Sequence, residues 1–224
     1  MTGVAFDIAA LTDQAIGASG EVELAGNVRI RGDIKTNGEV SLEGNVVVAG
    51  GVTGSRVGKS GNARIKGLVT ETAHVLSAPP IDLDRLAAGL ERANDNGRLP
   101  PALVRRGVLW ATGEQELVLP SGSYLLAGLE LSGNARLLSD GDVTLFVDGA
   151  VTLSGNVRMD AAPGARWTVL SRSRRTLAFA GNAVFDGIVC APRAALEAEG
   201  NPQITGYLFA ETVFLSGNVR LRAS

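Results

Sequence analysis

Residues 151–161 read VTLSGNVRMDA, and this frame of alternating apolar residues around a Gly-Asn dipeptide recurs along the chain. Residues 22–32 (VELAGNVRIRG) and 177–187 (LAFAGNAVFDG) repeat it closely. Successive asparagines lie 18 and 17 residues apart near the N-terminus and 26, 19 and 17 residues apart near the C-terminus. These spacings are too short for helical-hairpin repeats and fit one turn of a parallel β-helix. Eight asparagines occupy the frame: Asn27, Asn45, Asn62, Asn134, Asn156, Asn182, Asn201 and Asn218.

The residues around each asparagine alternate between apolar and polar, as strands with one buried side do. The positions three before, one after and three after the asparagine are apolar in nearly every repeat, and Lys59 is the clear exception. Glycine adopts positive φ freely and asparagine tolerates it, so Gly-Asn predicts a corner between two sheets. Because stacked coils lie about 4.8 Å apart, we expect the asparagines to form a ladder of amide hydrogen bonds.

The composition supports a folded, glycine-cornered protein and excludes several function classes. Hydrophobic residues make up 45 %, glycine occurs 29 times and aromatic residues reach only 4 %. The formal charge of −2, with both signs interspersed, gives no case for nucleic acid binding. No run approaches the roughly 18 apolar residues of a membrane span. The lone Cys190, between apolar neighbours, is expected to be a buried small hydrophobe, and no cofactor is expected.

The sequence predicts an all-β fold, a right-handed parallel β-helix, over a single domain spanning 1–224. Residues 1–19 are a candidate N-terminal cap, with weak helical periodicity up to about residue 17, and a partly disordered leader is the alternative. The first coils follow at 20–76, a helical insertion at 77–107 and the main β-helix at 108–224. Within the insertion we expect a helix near 82–96, with Asp82 as N-cap and Gly97 at its end, lying against the side or one end of the solenoid.

Three segments carry a resemblance to a known domain. LFVDGAVTLSGNVRM (145–159), GIVCAP (187–192) and SGN (216–218) follow one another in this order. In this the chain resembles a domain of unknown function in bacterial surface proteins, which is often joined to a PilX-type, pilin-like N-terminal segment. The resemblance implies a right-handed β-helix in a cell-surface or pilus-related setting, and no catalytic residue. The pilin-like hydrophobic helix is missing here. The first repeats also look like bactofilins, which are polymer-forming β-helix proteins.

No constellation in the sequence points firmly to chemistry. His74 is the only histidine and has no metal-binding neighbour at ligand spacing. Asp160 and Asp186 are placed to stack on neighbouring coils, which leaves carbohydrate cleavage by paired carboxylates as an enzyme alternative. The N-terminal segment is a poor signal peptide, so an extracellular or cell-surface location rests on the resemblance alone. Ice binding is set aside, because threonine is too sparse and irregular for an outward array.

One outward position carries a repeated charge. Two residues after the asparagine, five repeats carry arginine, and this predicts a broken basic stripe that binds an anionic partner such as an acidic glycan or another subunit's carboxylates. Pairing across faces with Glu23, Glu130 and Glu197 is an equally open alternative. The stripe consists of Arg29, Arg64, Arg136, Arg158 and Arg220.

The repeat frame continues to Arg222, which predicts a last coil with a bare strand edge. The leading hypothesis is therefore a non-enzymatic structural protein. It would self-assemble as a homo-oligomer or polymer, through coil ends or faces, into a filament or a cell-surface assembly. The alternatives are a carbohydrate-binding or carbohydrate-cleaving surface β-helix, and a module of a larger pilus-associated adhesin.

Overall fold

The computed structural model describes residues 12–74, 76 and 81–224, and it is a parallel β-helix with one α-helix in this part of the chain. The predicted all-β solenoid with an inserted helix is thus confirmed. The helical periodicity predicted up to about residue 17 falls mostly on residues 1–11, outside the described ones. At the end of that segment, Ile16–Ala18 is a strand of the sheet.

The strands are short and follow one another at the spacing of the repeat. The N-terminal strands are β1 (Ile16–Ala18), β2 (Val22–Gly26), β3 (Arg29–Arg31), β4 (Ile34–Thr36), β5 (Glu39–Gly44), β6 (Val47–Val48), β7 (Val52–Gly54), β8 (Arg56–Gly61), β9 (Arg64–Ile65) and β10 (Val69–Glu71). Helix α1 (Leu83–Arg92) comes next, followed by 3-10 turns at Asn96–Arg98 and Pro101–Leu103.

The C-terminal strands continue the same pattern, and two of them run through more than one face of the solenoid. They are β11 (Val104–Arg105), β12 (Val108–Ala111), β13 (Glu116–Leu119), β14 (Gly122–Leu126), β15 (Gly128–Gly133), β16 (Arg136–Ser139), β17 (Val143–Val147), β18 (Val151–Gly155), β19 (Arg158–Ala161), β20 (Trp167–Leu170), β21 (Leu177–Gly181), β22 (Val184–Gly200), β23 (Gln203–Gly217) and β24 (Arg220–Arg222).

Each coil contributes one strand to each of three faces. The pre-corner face holds the strands that end at a Gly-Asn corner, together with β12, whose corner is Gly113-Glu114. These strands are β2, β5, β8, β12, β15, β18, β21 and the C-terminal parts of β22 and β23. The post-corner face holds the strands that begin there: β3, β6, β9, β13, β16, β19, β24 and the N-terminal parts of β22 and β23. The third face holds β1, β4, β7, β10, β14, β17, β20 and the middle of both long strands.

The coils do not stack in the order of the chain. The first coil pairs with the last one: β2 lies beside β23 with Leu24 opposite Leu215, and β3 lies beside β24 with Ile30 opposite Leu221. The C-terminal coil is therefore in the interior of the stack. The prediction of a bare edge after Arg222 is wrong, because backbone groups of residues 29–31 pair with that edge.

This stacking order requires the chain to return to the far end of the solenoid. From β8 to β12 there are eight steps between neighbouring strands, about 38 Å at about 4.8 Å each. The residues between β10 and β12 make this connection, and they include α1, which is about 15 Å long. What looks in sequence like an interruption of the repeat is thus the connection between two stacks of coils.

Helix α1 packs on the outside of the third face. Its buried Leu83, Leu86 and Leu90 contact outward apolar side chains of the sheet, among them Phe146 and Phe209. The predicted N-cap is confirmed, because the side chain of Asp82 accepts a hydrogen bond of 2.9 Å from the backbone N–H of Arg85.

The helix ends earlier than predicted, at Arg92 and not at Gly97. The chain beyond it is held by the edge of β14: the backbone N–H of Asp95 donates to the carbonyl of Ser123, and its carboxylate accepts from the N–H of Ser123, both at 2.8 Å. These two hydrogen bonds require a non-helical backbone, so the helix stops before them.

The core consists of one inward-facing aliphatic column per strand position. The apolar positions predicted around each asparagine are buried in all inner coils, as for Leu153, Val157 and Met159. Lys59 lies at the equivalent position of β8, the outermost described strand on its face, and is exposed. A charged residue is tolerated there because no further coil of the described chain covers it.

The corner glycines are held in a conformation that excludes side chains. Gly155 has a φ of +92°, and a Cβ added to it would lie 2.6 Å from the carbonyl oxygen of Gly133 in the adjacent coil. Glycine at this position therefore satisfies both the backbone angle and the close approach of stacked corners.

We expect Gly155→Ala to lower the free energy of unfolding by about 2 kcal/mol or more, because a left-handed residue costs about 1–2 kcal/mol before any clash. Gly89→Ala is the matched control. Gly89 lies within α1, and no other group comes within 4 Å of the place that a Cβ would occupy there. The change should therefore stabilise the protein by about 0.5–1 kcal/mol. Urea denaturation of both variants measures the contrast, and equal effects would contradict it.

Candidate functional site

The eight corner asparagines form one continuous column along the solenoid. Beyond Asn134 at its end, each side-chain Nδ2 donates to the Oδ1 of the asparagine in the preceding coil, over 2.7–3.0 Å. The column crosses the junction between the last and first coils, because Asn27 donates to Asn218 although 191 residues separate them. The order along the axis is Asn134, Asn156, Asn182, Asn201, Asn218, Asn27, Asn45 and Asn62.

A backbone hydrogen bond reinforces every rung of this column. The N–H of each asparagine donates to the carbonyl of the glycine one coil away, over 2.6–2.8 Å. The glycines carry the positive φ, whereas the asparagines do not. Each primary amide has two N–H groups and the ladder uses one, so the second N–H of each rung points away from the column.

The arginine stripe is divided by the stacking order into two parts with different surroundings. Arg136 and Arg158 lie near carboxylates, with Glu116 at 4.0 Å and Asp160 at 3.0 Å. Arg220 and Arg29 lie directly opposite each other on β24 and β3. Val47 separates Arg29 from Arg64, the fifth member of the stripe.

A second column of cations runs beside the stripe and was missed in the sequence. Arg222 and Arg31 are opposite each other two residues further along the same strands, and Lys66 follows Arg64 at the same offset. All three are exposed. In the sequence these cations all lie four residues after an asparagine of the repeat. Their proximity becomes evident only when residues 220–222 are paired with residues 29–31.

The alternative of pairing between faces does not occur in the described chain. No ion pair within 4.0 Å joins Glu23, Glu130 or Glu197 to any arginine among residues 12–74, 76 and 81–224. These glutamates point out of the pre-corner face, whereas the arginines point out of the post-corner face.

Asp160 and Asp186, the acids proposed for carbohydrate cleavage, lie on the neighbouring strands β19 and β22 of the post-corner face. Burial raises the pKa of Asp186, with a further rise from nearby Asp160, while Arg166 opposes the shift. Asp160 itself is bound to Arg158. Trp167 and Tyr124 are fully buried, so they are not available to stack on sugar rings. Trp110 is half-buried, but it lies on the pre-corner face, away from these acids, and the Arg105 guanidinium covers its ring.

The third face is occupied by α1, and Cys190 lies in that contact. The thiol packs with Leu170, Ile188 and the helix leucines and is fully buried. Burial raises its pKa to about 12. This agrees with a buried small hydrophobe and not with a reactive thiol.

The pre-corner face carries short uncharged side chains over three neighbouring strands. On β18 and β21 the outward pairs are in register, with Thr152 opposite Ala178 and Ser154 opposite Ala180. Ser132 on β15 lies opposite Ser154 and donates to Thr112 Oγ1 at 3.0 Å. The small-residue patch consists of Ser132, Ala150, Thr152, Ser154, Thr176, Ala178 and Ala180.

Other site types have little support in the part of the chain that the structure describes. No three His, Cys, Asp or Glu side chains there are placed to hold a metal ion together. His74 is exposed, with a φ of +61°. No helix of that part is long and apolar enough to cross a membrane.

The fold and these surfaces define a parallel β-solenoid with a helix along one face and two open faces. No family model matches the chain, and no curated protein matches it. Several solved structures, however, are similar to it in fold. The DUF3494 domain of an ice-binding protein from Shewanella frigidimarina is 16 % identical and superposes with a TM-score of 0.57 over 100 % of this chain and 99 % of that one.

Two further solved structures are similar over almost their whole length. An ice-binding protein of the Antarctic ascomycete Antarctomyces psychrotrophicus is 16 % identical, with a TM-score of 0.53 over 97 % of this chain and 98 % of that one. A glycosylated ice-binding protein from an Arctic yeast is 15 % identical, with a TM-score of 0.53 over 100 % and 96 %. At these identities the likeness establishes the shared fold.

These findings correct the functional hypothesis drawn from the sequence. Self-assembly into a filament was inferred from a bare last coil, and that coil is covered by β2 and β3. The similar solved structures named above are ice-binding proteins, which points away from a filament or a carbohydrate-active protein. They support the β-helix part of the resemblance but not its pilus or bactofilin relation.

The amide ladder makes a prediction about stability. Asn156 both donates to Asn134 and accepts from Asn182, whereas Asn62 at the end of the column only donates, to Asn45. At about 0.5–1 kcal/mol for each exposed hydrogen bond, Asn156→Ala should cost about 1–2 kcal/mol and Asn62→Ala about half as much. Equal losses in urea denaturation would show that the ladder does not act as a chain of bonds.

The burial of Cys190 predicts an unreactive thiol in the folded protein. Because burial raises its pKa to about 12, almost no thiolate is present at pH 8, and the thiolate is the reactive form. A chromogenic disulfide reagent should label the protein at pH 8 only in denaturant. Fast labelling of the native protein, at the rate of a free thiol, would contradict the burial of this side chain beneath α1.

Proposed function

We propose that this protein binds ice, without catalysis, through the small-residue patch of its pre-corner face. The observation that carries the proposal is the register of β15, β18 and β21. Because the strands are parallel and unshifted, Ser132, Ser154 and Ala180 follow one another in a straight row. Thr152 and Ala178 form a second row beside it.

The geometry of these rows suits an ordered layer of water. Neighbouring coils are spaced about 4.8 Å apart, and alternate residues along a strand about 6.6 Å. The patch is therefore a flat grid whose repeats are comparable to those of oxygen atoms on the surfaces of hexagonal ice. Methyl and hydroxyl groups at these points leave water room to adopt that arrangement, whereas long charged side chains would disturb it.

Ice binding was set aside in the sequence because threonine is sparse there. The array does not have to consist of threonine, however. Alanine and serine have side chains as short as the plane requires. Ser132, Ser154 and Ala180 form one row of the patch, and a search for threonine does not find this row because it contains none. The charged Glu130 and Glu197 lie beside the patch and limit it at two of its borders.

The other two faces fit ice less well. The post-corner face carries Arg136, Arg158, Arg220 and Arg29 in its outward rows. The third face is covered by α1 along β17, β20, β22 and β23. The ice-binding proteins that share the fold are consistent with such a use of a flat solenoid face.

The test replaces one small residue on each open face by lysine. Ala178→Lys places a long charged side chain in the centre of the patch, whereas Ala49→Lys places the same group on the post-corner face. Both positions point outward, so stability should change by no more than about 1 kcal/mol. The larger cost is expected for Ala49→Lys, because Ala49 lies between Arg31 and Lys66 on neighbouring strands. We expect Ala178→Lys to lose most of the thermal hysteresis and of the inhibition of ice recrystallisation, and Ala49→Lys to keep both.

The wild-type protein must also partition into slowly growing ice. Its complete exclusion from the ice fraction would overturn the proposal. Equal loss in both lysine variants, with both still folded by circular dichroism, would place ice binding elsewhere on the molecule.

A further inference from the structure

The junction between the last and first coils concentrates positive charge without compensation. Arg220 lies opposite Arg29, and Arg222 opposite Arg31, in the β24–β3 pairing. Like charges directly opposite each other on neighbouring strands destabilise a sheet. These four residues, the junction arginines, are all exposed. Among the described residues none of them has a carboxylate within 4.0 Å.

The same row provides an internal comparison. At its far end Arg136 and Arg158 have Glu116 and Asp160 as carboxylate partners. At that end of the row, the arginine charges are thus balanced by carboxylates at neighbouring outward positions. At the junction the corresponding neighbours are further arginines, so the four guanidinium groups keep their hydrogen-bond donors free for another anion.

A groove beside the junction arginines adds neutral donors. It measures about 750 Å³ and runs between the arginine row and the asparagine column, with Arg29, Arg64 and Arg220 on one side. Asn201, Asn218, Asn27 and Asn45 line its other side. Each of these amides has one N–H left over from the ladder, and no aspartate or glutamate lines the groove.

A second depression lies on the other side of the same row. It measures about 450 Å³ and is lined by all four junction arginines together with Gln203 and Thr205. Arg29 and Arg220 thus line both hollows, and Arg31 and Arg222 line the second one. Arginine forks bind phosphate oxygens in a bidentate manner, which a strongly hydrated lysine does not do.

We propose that the junction arginines and the adjoining groove form a binding site for a linear oligophosphate that lies along the solenoid axis. The groove follows the asparagine column over five coils, from Asn201 to Asn62, about 19 Å at about 4.8 Å per coil. An anion with several linked phosphate groups can bridge Arg220 and Arg29, whereas a single phosphate reaches only part of the row. Binding also relieves the repulsion between the two strands that join the N-terminal and C-terminal coils.

The experiment measures binding of inorganic tripolyphosphate to the full chain by calorimetry at low salt. Arg29→Gln with Arg220→Gln removes one opposing pair, and we expect an affinity loss of about tenfold or more, because each variant loses charge-assisted hydrogen bonds to the phosphate oxygens. Arg136→Gln with Arg158→Gln is the matched control. It changes the net charge equally on the same face and should leave the affinity nearly unchanged.

Thermal unfolding gives a second readout. Tripolyphosphate should raise the Tm of the wild type and of the control, since it binds the folded state, and should not raise that of the Arg29/Arg220 variant. Orthophosphate at the same ionic strength should have a much smaller effect.

Several outcomes would overturn the site. Equal affinity losses in the two double variants would reduce it to a general charge effect, and equal binding of orthophosphate would remove the need for linked phosphates. Binding of single-stranded DNA or of anionic vesicles through the same arginines, without binding of tripolyphosphate, would assign the surface to another class of partner.

Discussion

The close stacking of Gly-Asn corners is the constraint on which the rest of this structure depends. A corner in one coil touches the corner of the next, with the backbone of Gly155 so near that of Gly133 that no side chain fits between them. Beyond Asn134 at the end of the column, each corner asparagine donates a backbone and a side-chain hydrogen bond to the same neighbouring corner, as Asn156 does to Gly133 and Asn134. Every coil must therefore turn at the same place, which keeps the strands of all three faces in register.

Because the corners are equivalent, the solenoid can be assembled in an order that differs from the chain. Asn27 donates its side-chain hydrogen bond to Asn218 of the last coil and accepts the same kind of bond from Asn45 of the next coil. The N-terminal coils use this equivalence to cover the last coil, and α1 carries the chain along the third face to the other end. The edge that would otherwise promote aggregation is paired within the molecule.

The sequence predicts what depends on local pattern and fails where only stacking decides. The inward Leu153 and Val157 follow from alternation, and the Asp82 cap from local hydrogen-bonding chemistry. Leu24 lies between Leu42 of the next coil in the chain and Leu215 of the last coil. The pairing with Leu42 follows from chain order, but no local pattern predicts the pairing with Leu215. The arginine pairs arise from the pairing of the first and last coils, so they could not be found by aligning repeats in chain order. The small-residue patch lies on coils that are consecutive in the chain, and it was missed because the sequence was searched for threonine alone.

The stacking order also separates the two open faces along the axis. Around β18 and β21 the pre-corner face is uncharged, with Thr152 and Ala178 at its centre. Further along, around β2 and β5, the same face carries Glu23 and Glu43, and the post-corner face carries arginine. A flat, weakly hydrated surface and a concentrated positive field would interfere with each other if they overlapped, since charged groups order water around themselves. The proposed ice-binding patch and the proposed phosphate site lie on different faces and at different coils, so neither needs the other's surface, and the same stacked corners hold both in place.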